Sequence, residues 1–210
     1  MSDNIIKSIQ RAAVDCALSE WRRVVRDQYK DPKTGELYAY DQRIVRYHTD
    51  SGAAWPVRDG YQENKDYWCG VFAAFCFASV GDYILQGQCV DLRLKPDIAK
   101  YVFPSTTRLD SAAKWAQAGV EQARQMRVDQ IRKGDVVVFS TGRTDRDEGD
   151  HVTLALGPII GDEIDVVEGN GWGLLGDGTR GEGVVTNTRD VANIARVWRV
   201  RMQHFTGSYL

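Results

Sequence analysis

The sequence predicts an α+β domain with helices packed on one face of an antiparallel sheet. Three observations predict it. Apolar residues recur at helical spacing through the first 25 positions. A second, almost wholly apolar run, WCGVFAAFCFASV, follows a turn-rich stretch and has the length of a buried helix. From Gly134 onward the pattern changes to short β-like runs separated by turns: GDVVVFS, HVTLALG, EIDVVEGNG, GVVTNT and ARVWRVRM. Helices come first and strands afterwards, which is the order of a helical layer on a meander.

In chain order, Ile5, Ile6, Ile9, Ala12, Ala13, Cys16, Ala17, Trp21, Val24 and Val25 form one stripe, with Lys7, Arg11, Arg22 and Arg23 off it. The spacing predicts an amphipathic helix over 4–27. Such a face serves a membrane or a partner, or packs on its own domain; its wealth of Ala and Cys favours close packing at home. DPKTG at 31–35 is a turn, and loops and short pieces follow to residue 66. The second helix is expected over 67–80, stopped by Gly81. Residues 86–107, with Pro96 and Pro104, are irregular. DSAAKWAQAG at 110–119 is a short helix capped by Asp110 and ended by Gly119. GDVVVFS suits a strand buried on both faces, and TGRTDRDEGD at 141–150 is a polar loop. HVTLALG alternates, with Val152, Leu154 and Leu156 on one face. With no repeat, low-complexity segment or linker, residues 1–210 make one domain, and 1–60 are an N-terminal extension packed on it.

The bulk numbers exclude several classes. Lys plus Arg is 27 and Asp plus Glu is 29, so a net charge of −2 gives no electrostatic case for nucleic acid or an anionic membrane. No run is long and apolar enough to span a bilayer. MSDNIIKSIQRAA lacks the basic and apolar regions of a signal peptide, so the chain is expected to be made in the cytoplasm. Cys16, Cys69, Cys76 and Cys89 form no CxxC pair and suit neither zinc nor a disulfide framework. Free, buried thiols are the simplest reading, with a Cys16–Cys89 bridge left open.

Chemistry gathers around Cys69. At the head of a helix it meets the positive end of the helix dipole and orphan N–H groups, which favour a thiolate and can receive an oxyanion. Packing is the ordinary fate of such a cysteine. His151 changes the balance: it opens a strand after a polar loop, pointing with Thr153 and Ala155. One strand on, Glu168 and Asn170 stand two apart, so period two puts both on one face near His151. Either can accept the ring N–H, fix the tautomer and leave the other nitrogen as a base. Cys76, two turns along, is core; His48 and His204 are surface or structural. Trp21, Trp115 and Trp198 sit on periodic stretches as core. Trp172, in the glycine-rich GNGWGLLGDG, is placed at the substrate.

These pieces, YWCGVFAAF, SAAKWAQAG, KGDVVVF, DHVTLALG and VVEGNG, resemble the cysteine, histidine-dependent amidohydrolase/peptidase (CHAP) family, papain-like relatives of the NlpC-type cell-wall hydrolases. The resemblance spans roughly residues 60–171. It implies a papain-like fold and a peptidoglycan hydrolase, either an amidase or an endopeptidase. It makes Cys69 the nucleophile, His151 the base and then the acid, Glu168 the orienter and Asn170 its partner or substitute. Gln62 or Asn64 would give a second oxyanion donor, and Trp68 stands with them on the substrate side. Some members bind calcium near the nucleophile; Glu63 and Asp66 lie there, but their spacing is not a calcium loop, so no metal and no cofactor are assigned. A wall substrate implies release by phage lysis or delivery as an antibacterial effector, the latter with delivery machinery and an immunity protein as partners. Two other readings remain: the same machinery turned on proteins, as a protease, deamidase or transglutaminase-like toxin, or a binding module with a decayed site.

Overall fold

A computed structural model of the chain describes residues 2–26, 28–30, 37–39, 43–44, 46–47, 68–80, 123–140 and 151–200. The first helix, α1 (Ser2–Arg22), stops five residues short of its expected end. The chain turns at Arg23 and Val24, and Val24 adopts a left-handed φ of 59°. Val24 and Val25 thereby leave the helical stripe, and Arg26 bridges to Gly183. The second helix, α2 (Cys69–Ala78), starts two residues later than expected. Every residue from Cys69 to Phe77 is buried, which is why its sequence is apolar all round. The expected helix over 110–119 lies outside the described residues.

Short strands β1 (Gln28–Lys30) and β2 (Leu37–Ala39) pair with each other. The main sheet has six antiparallel strands: β3 (Ala123–Gln125), β4 (Val136–Phe139), β5 (His151–Ala155), β6 (Glu163–Leu174), β7 (Arg180–Asp190) and β8 (Ile194–Val200). Their order is β3-β8-β4-β5-β6-β7. Strands β4 to β7 form the expected meander, but β8 does not extend it. A 3-10 turn at Val191–Asn193, capped by the Asp190 carboxylate, sends the chain back to pair with β4. This encloses β4, whose four residues are all buried, between two neighbours.

Alternation along the strands divides the core. Val136, Val138, Val152, Leu154 and Val167 pack with α1 and α2, and Leu156 joins them as its spacing predicts. Val137, Phe139, Ala155, Ile164 and Val166 form a second cluster on the opposite face with Ile131 and Val197. Both described helices therefore lie on one face of the antiparallel sheet, and the chain is α+β.

Two buried carboxylates tie the helices in place. Asp135 accepts from Arg199 Nε (2.9 Å) and Nη2 (2.6 Å), from the Arg132 N–H (3.0 Å) and from Gln10 Nε2 of α1. Glu20 of α1 is paired by Arg43 and accepts from the Tyr47 hydroxyl at 2.8 Å. The Tyr47 ring meets Phe72 and Phe75 of α2 and Trp68. Cys16 and Cys76 are free thiols in contact between the helices; burial first, then that contact, pushes the Cys76 thiol up. Cys16 thus carries no disulfide, and Cys89 lies outside the described residues.

Candidate active site

The site lies where the ladder between β5 and β6 ends. These strands pair only at Leu154↔Val167 and Ala155↔Val166. Beyond that register β6 carries an irregularity between Glu168 and Gly171, and β5 begins at His151. Cys69 arrives from the helical side as the first residue of α2. Its N-cap residue, Trp68, gives no side-chain cap, and the N–H groups of a helix's first turn have no intrahelical acceptor.

The Cys69 thiol lies beside the His151 ring, close enough to act on its protonation. His151 Nε2 lies 3.2 Å from Glu168 Oε2. The ring N–H does not aim squarely at that oxygen, so the contact is a close ion pair rather than an aligned hydrogen bond. With Nε2 directed to the carboxylate, Nδ1 is the nitrogen left for the thiol. All three groups are buried. Burial pulls the imidazolium down, but the adjacent Cys69 and then Glu168, through close polar contact and charge, outweigh it and raise His151 to about 9. Glu168 moves the other way. Burial opposes its charge, but His151 and Arg189 hold it at about 2.

Glu168 has further partners on β7. Arg189 donates to it through Nε (2.7 Å) and Nη2 (2.6 Å), and Asn187 through Nδ2 (3.0 Å). The Arg189 guanidinium sits 5.4 Å from the centre of the Phe139 ring. Phe139 is opposite His151 in the β4–β5 register. A row thus crosses four strands, from Phe139 through His151 and Glu168 to Asn187 and Arg189.

The structure brings Cys69, His151 and Glu168 together, and it treats the other expected site residues differently. Asn170 occupies the irregularity with a left-handed φ of 56°. That conformation breaks the period of two on which its pairing with Glu168 rested, and its amide has no polar partner among the described residues. Trp68 is a correction: expected on the substrate side, it is wholly buried against Tyr47, Phe72 and the backbone at Gly169. Trp172 is 62% exposed, and its carbonyl accepts from Asn187 at 2.8 Å. Gln62, Asn64, Glu63, Asp66, His48, His204, Trp115 and the loop at 141–150 lie outside the described residues. Asn187 and Arg189 were missed by sequence reasoning. Their alternation in TNTR puts them on one strand face, but no motif connects that face to Glu168.

A thiol beside an imidazole that is backed by a carboxylate is an arrangement that can serve as nucleophile, base and orienter. Among the described residues no group of three or more His, Cys, Asp or Glu gathers as a metal site, and no helix is long and apolar enough to cross a membrane. Compared with models of known families and with curated proteins, the sequence matches none.

Proposed function

We propose that the chain is a papain-like cysteine amidohydrolase of the CHAP kind, cleaving amide bonds of peptidoglycan peptides as an amidase or endopeptidase. One observation carries the chemistry: Cys69, the first residue of a buried helix, lies beside His151 with Glu168 behind it. The substrate class comes from the resemblance of the Cys block and the GDVVVF, HVTLALG and VVEGNG strands to wall hydrolases. The wall is reached by lysis or by delivery.

The reaction runs in two halves. The Cys69 sulfur attacks the amide carbonyl carbon, and first-turn N–H groups of α2 hold the oxyanion. His151 gives its proton to the leaving nitrogen as the C–N bond breaks, leaving a thioester. Water then attacks the thioester carbon and passes a proton to His151. The C–S bond breaks, the acid departs, and the Cys69 sulfur and the protonated His151 are restored. The pull of Cys69 and Glu168 on His151 keeps the proton on the imidazole that the leaving amine needs. Exposed Trp172, four residues beyond Glu168 on the same strand, is the proposed contact for the substrate.

The test is digestion of purified peptidoglycan by wild type and Cys69→Ala, with mass spectrometry of the fragments. Fragments released by wild type alone support the reading, and their masses name the bond. No release by wild type with a readily alkylated Cys69 sinks the wall substrate and turns the same chemistry toward a protein target.

A further inference from the structure

We infer that Arg189, aided by Asn187, is a positioning residue of the Cys69–His151 pair: its guanidinium fork fixes the Glu168 carboxylate in the orientation that holds His151. The inference rests on the proposed reading of the site and names what orients the orienter.

A glutamate side chain has three rotatable bonds, and alone it holds an imidazole poorly. Here both oxygens are taken. Arg189 Nε donates to Oε2 at 2.7 Å, the same oxygen that faces His151 Nε2, and Nη2 donates to Oε1 at 2.6 Å. A planar fork sets the plane of a carboxylate as well as its place, which a point charge does not. Asn187 Nδ2 adds a donor to Oε1 at 3.0 Å and is itself held by the Trp172 carbonyl. The guanidinium lies on the Phe139 ring, so the fork is braced from below.

The charges point the same way. Among the described residues, Glu168 faces His151 from β5 and Arg189 and Asn187 from β7. Phe139 of β4 lies under Arg189, and Cys69 of α2 stands beyond His151. One anion therefore serves two cations. His151 and, with it, Arg189 keep that anion ionised as acid is added, so His151 retains its partner well below neutrality.

The readout is the rate at which iodoacetamide modifies Cys69, followed by peptide mass spectrometry across the acid and neutral range. Wild type, Arg189→Gln and Arg189→Lys are compared, each checked for its folded state by circular dichroism. The Arg189→Gln acid limb should move up by about 1–2 pH units, in line with the loss of an adjacent guanidinium. Each unit is a tenfold loss of rate below the limb. Arg189→Lys keeps the charge but not the fork: its limb should move less, with a lower plateau. A folded Arg189→Gln whose profile superimposes on wild type overturns the inference. If Arg189→Gln does not fold, a folded Arg189→Lys that superimposes overturns it equally. A variant that loses reactivity only with its fold, its limb unmoved, shows a merely structural role and also overturns it. A folded wild type inert at every pH removes the reading of the site and this inference with it. A reactive wild type with unshifted variants removes this inference alone.

Discussion

Glu168 and Asp135 are both fully buried, and each is held by both Nε and Nη2 of one arginine, Arg189 and Arg199 respectively. Their remaining partners differ. Asp135 also meets Gln10 and the Arg132 N–H, groups that do not titrate, and it joins α1 to the sheet. Glu168 also meets His151, which touches Cys69. A buried charge held by an arginine is thus no mark of function by itself. What separates a clamp from a candidate site is whether the anion acts on a group that can move a proton.

The comparison is most easily broken by neutralising each carboxylate. On the proposed function, Glu168→Gln should lower peptidoglycan hydrolysis by about 10³–10⁴-fold, since an amide in place of the carboxylate behind His151 stabilises the wrong tautomer of the imidazole. Cys69 alkylation should slow with it. Asp135→Asn should leave Cys69 alkylation in the folded protein at its wild-type rate. Its cost falls on stability, about 3–5 kcal/mol by denaturant unfolding, because nearly buried Arg199 loses its counter-charge. An Asp135→Asn protein that is folded but slow to alkylate erases the distinction.

The pH dependence sharpens it. His151 is raised in the fold from 6.5 to about 9, so its stabilising contribution is whole below its unfolded value and is lost as pH rises through about 9. Glu168 is lowered from 4.5 to about 2, so its contribution is whole above its unfolded value and is lost as pH falls through about 2. Both contributions are complete only between the two unfolded values, and thermal unfolding of wild type should show that window. In Glu168→Gln the acid arm due to this group disappears and the alkaline arm shrinks. Hydrolysis by wild type should decline above about pH 9, where the imidazole no longer carries the proton for the leaving amine. An alkaline limb at the unperturbed histidine value contradicts the Cys69–His151–Glu168 contacts.

The two carboxylates also show what a sequence discloses. The meeting of Cys69, His151 and Glu168 was legible because each stands at the edge of a periodic run: helix start, strand start and the last residue of the β6 alternation before its irregularity. The antiparallel sheet and its helical face were legible for the same reason. Arg189 and Asn187 were not, because their meeting with Glu168 depends on the β6–β7 register, in which Val166 pairs with Asn187 and Ile164 with Arg189. Such register is a tertiary outcome, set by which faces are buried. Asn170 was misjudged because one left-handed residue shifts everything beyond it by one position. Trp68 was misjudged because adjacency to Cys69 in sequence says nothing about the direction of its ring, which turns into the aromatic cluster.

The smallest expected effects come from two glycines, one at each carboxylate. A Cβ at Gly134 would overlap the Gln10 side chain and lie 2.6 Å from the Gln10 carbonyl oxygen, which is helix backbone, and Gly134 has a φ of +83°. Neither obstacle yields, so Gly134→Ala should cost about 1–3 kcal/mol and leave Cys69 alkylation alone. A Cβ at Gly171 would overlap Glu168 Oε1 and lie 2.9 Å from its carboxyl carbon. That carboxylate is the far end of a flexible side chain, and on steric grounds alone it would step aside cheaply. Arg189 and Asn187 oppose the step, so any movement must occur against the fork or take the carboxylate from His151. Gly171→Ala should therefore cost less stability than Gly134→Ala, about 1 kcal/mol, yet slow alkylation measurably. If both alanines lower stability alike and alkylation ignores both, the Glu168 carboxylate is no more confined than Asp135, and its link to Cys69 is a contact without consequence.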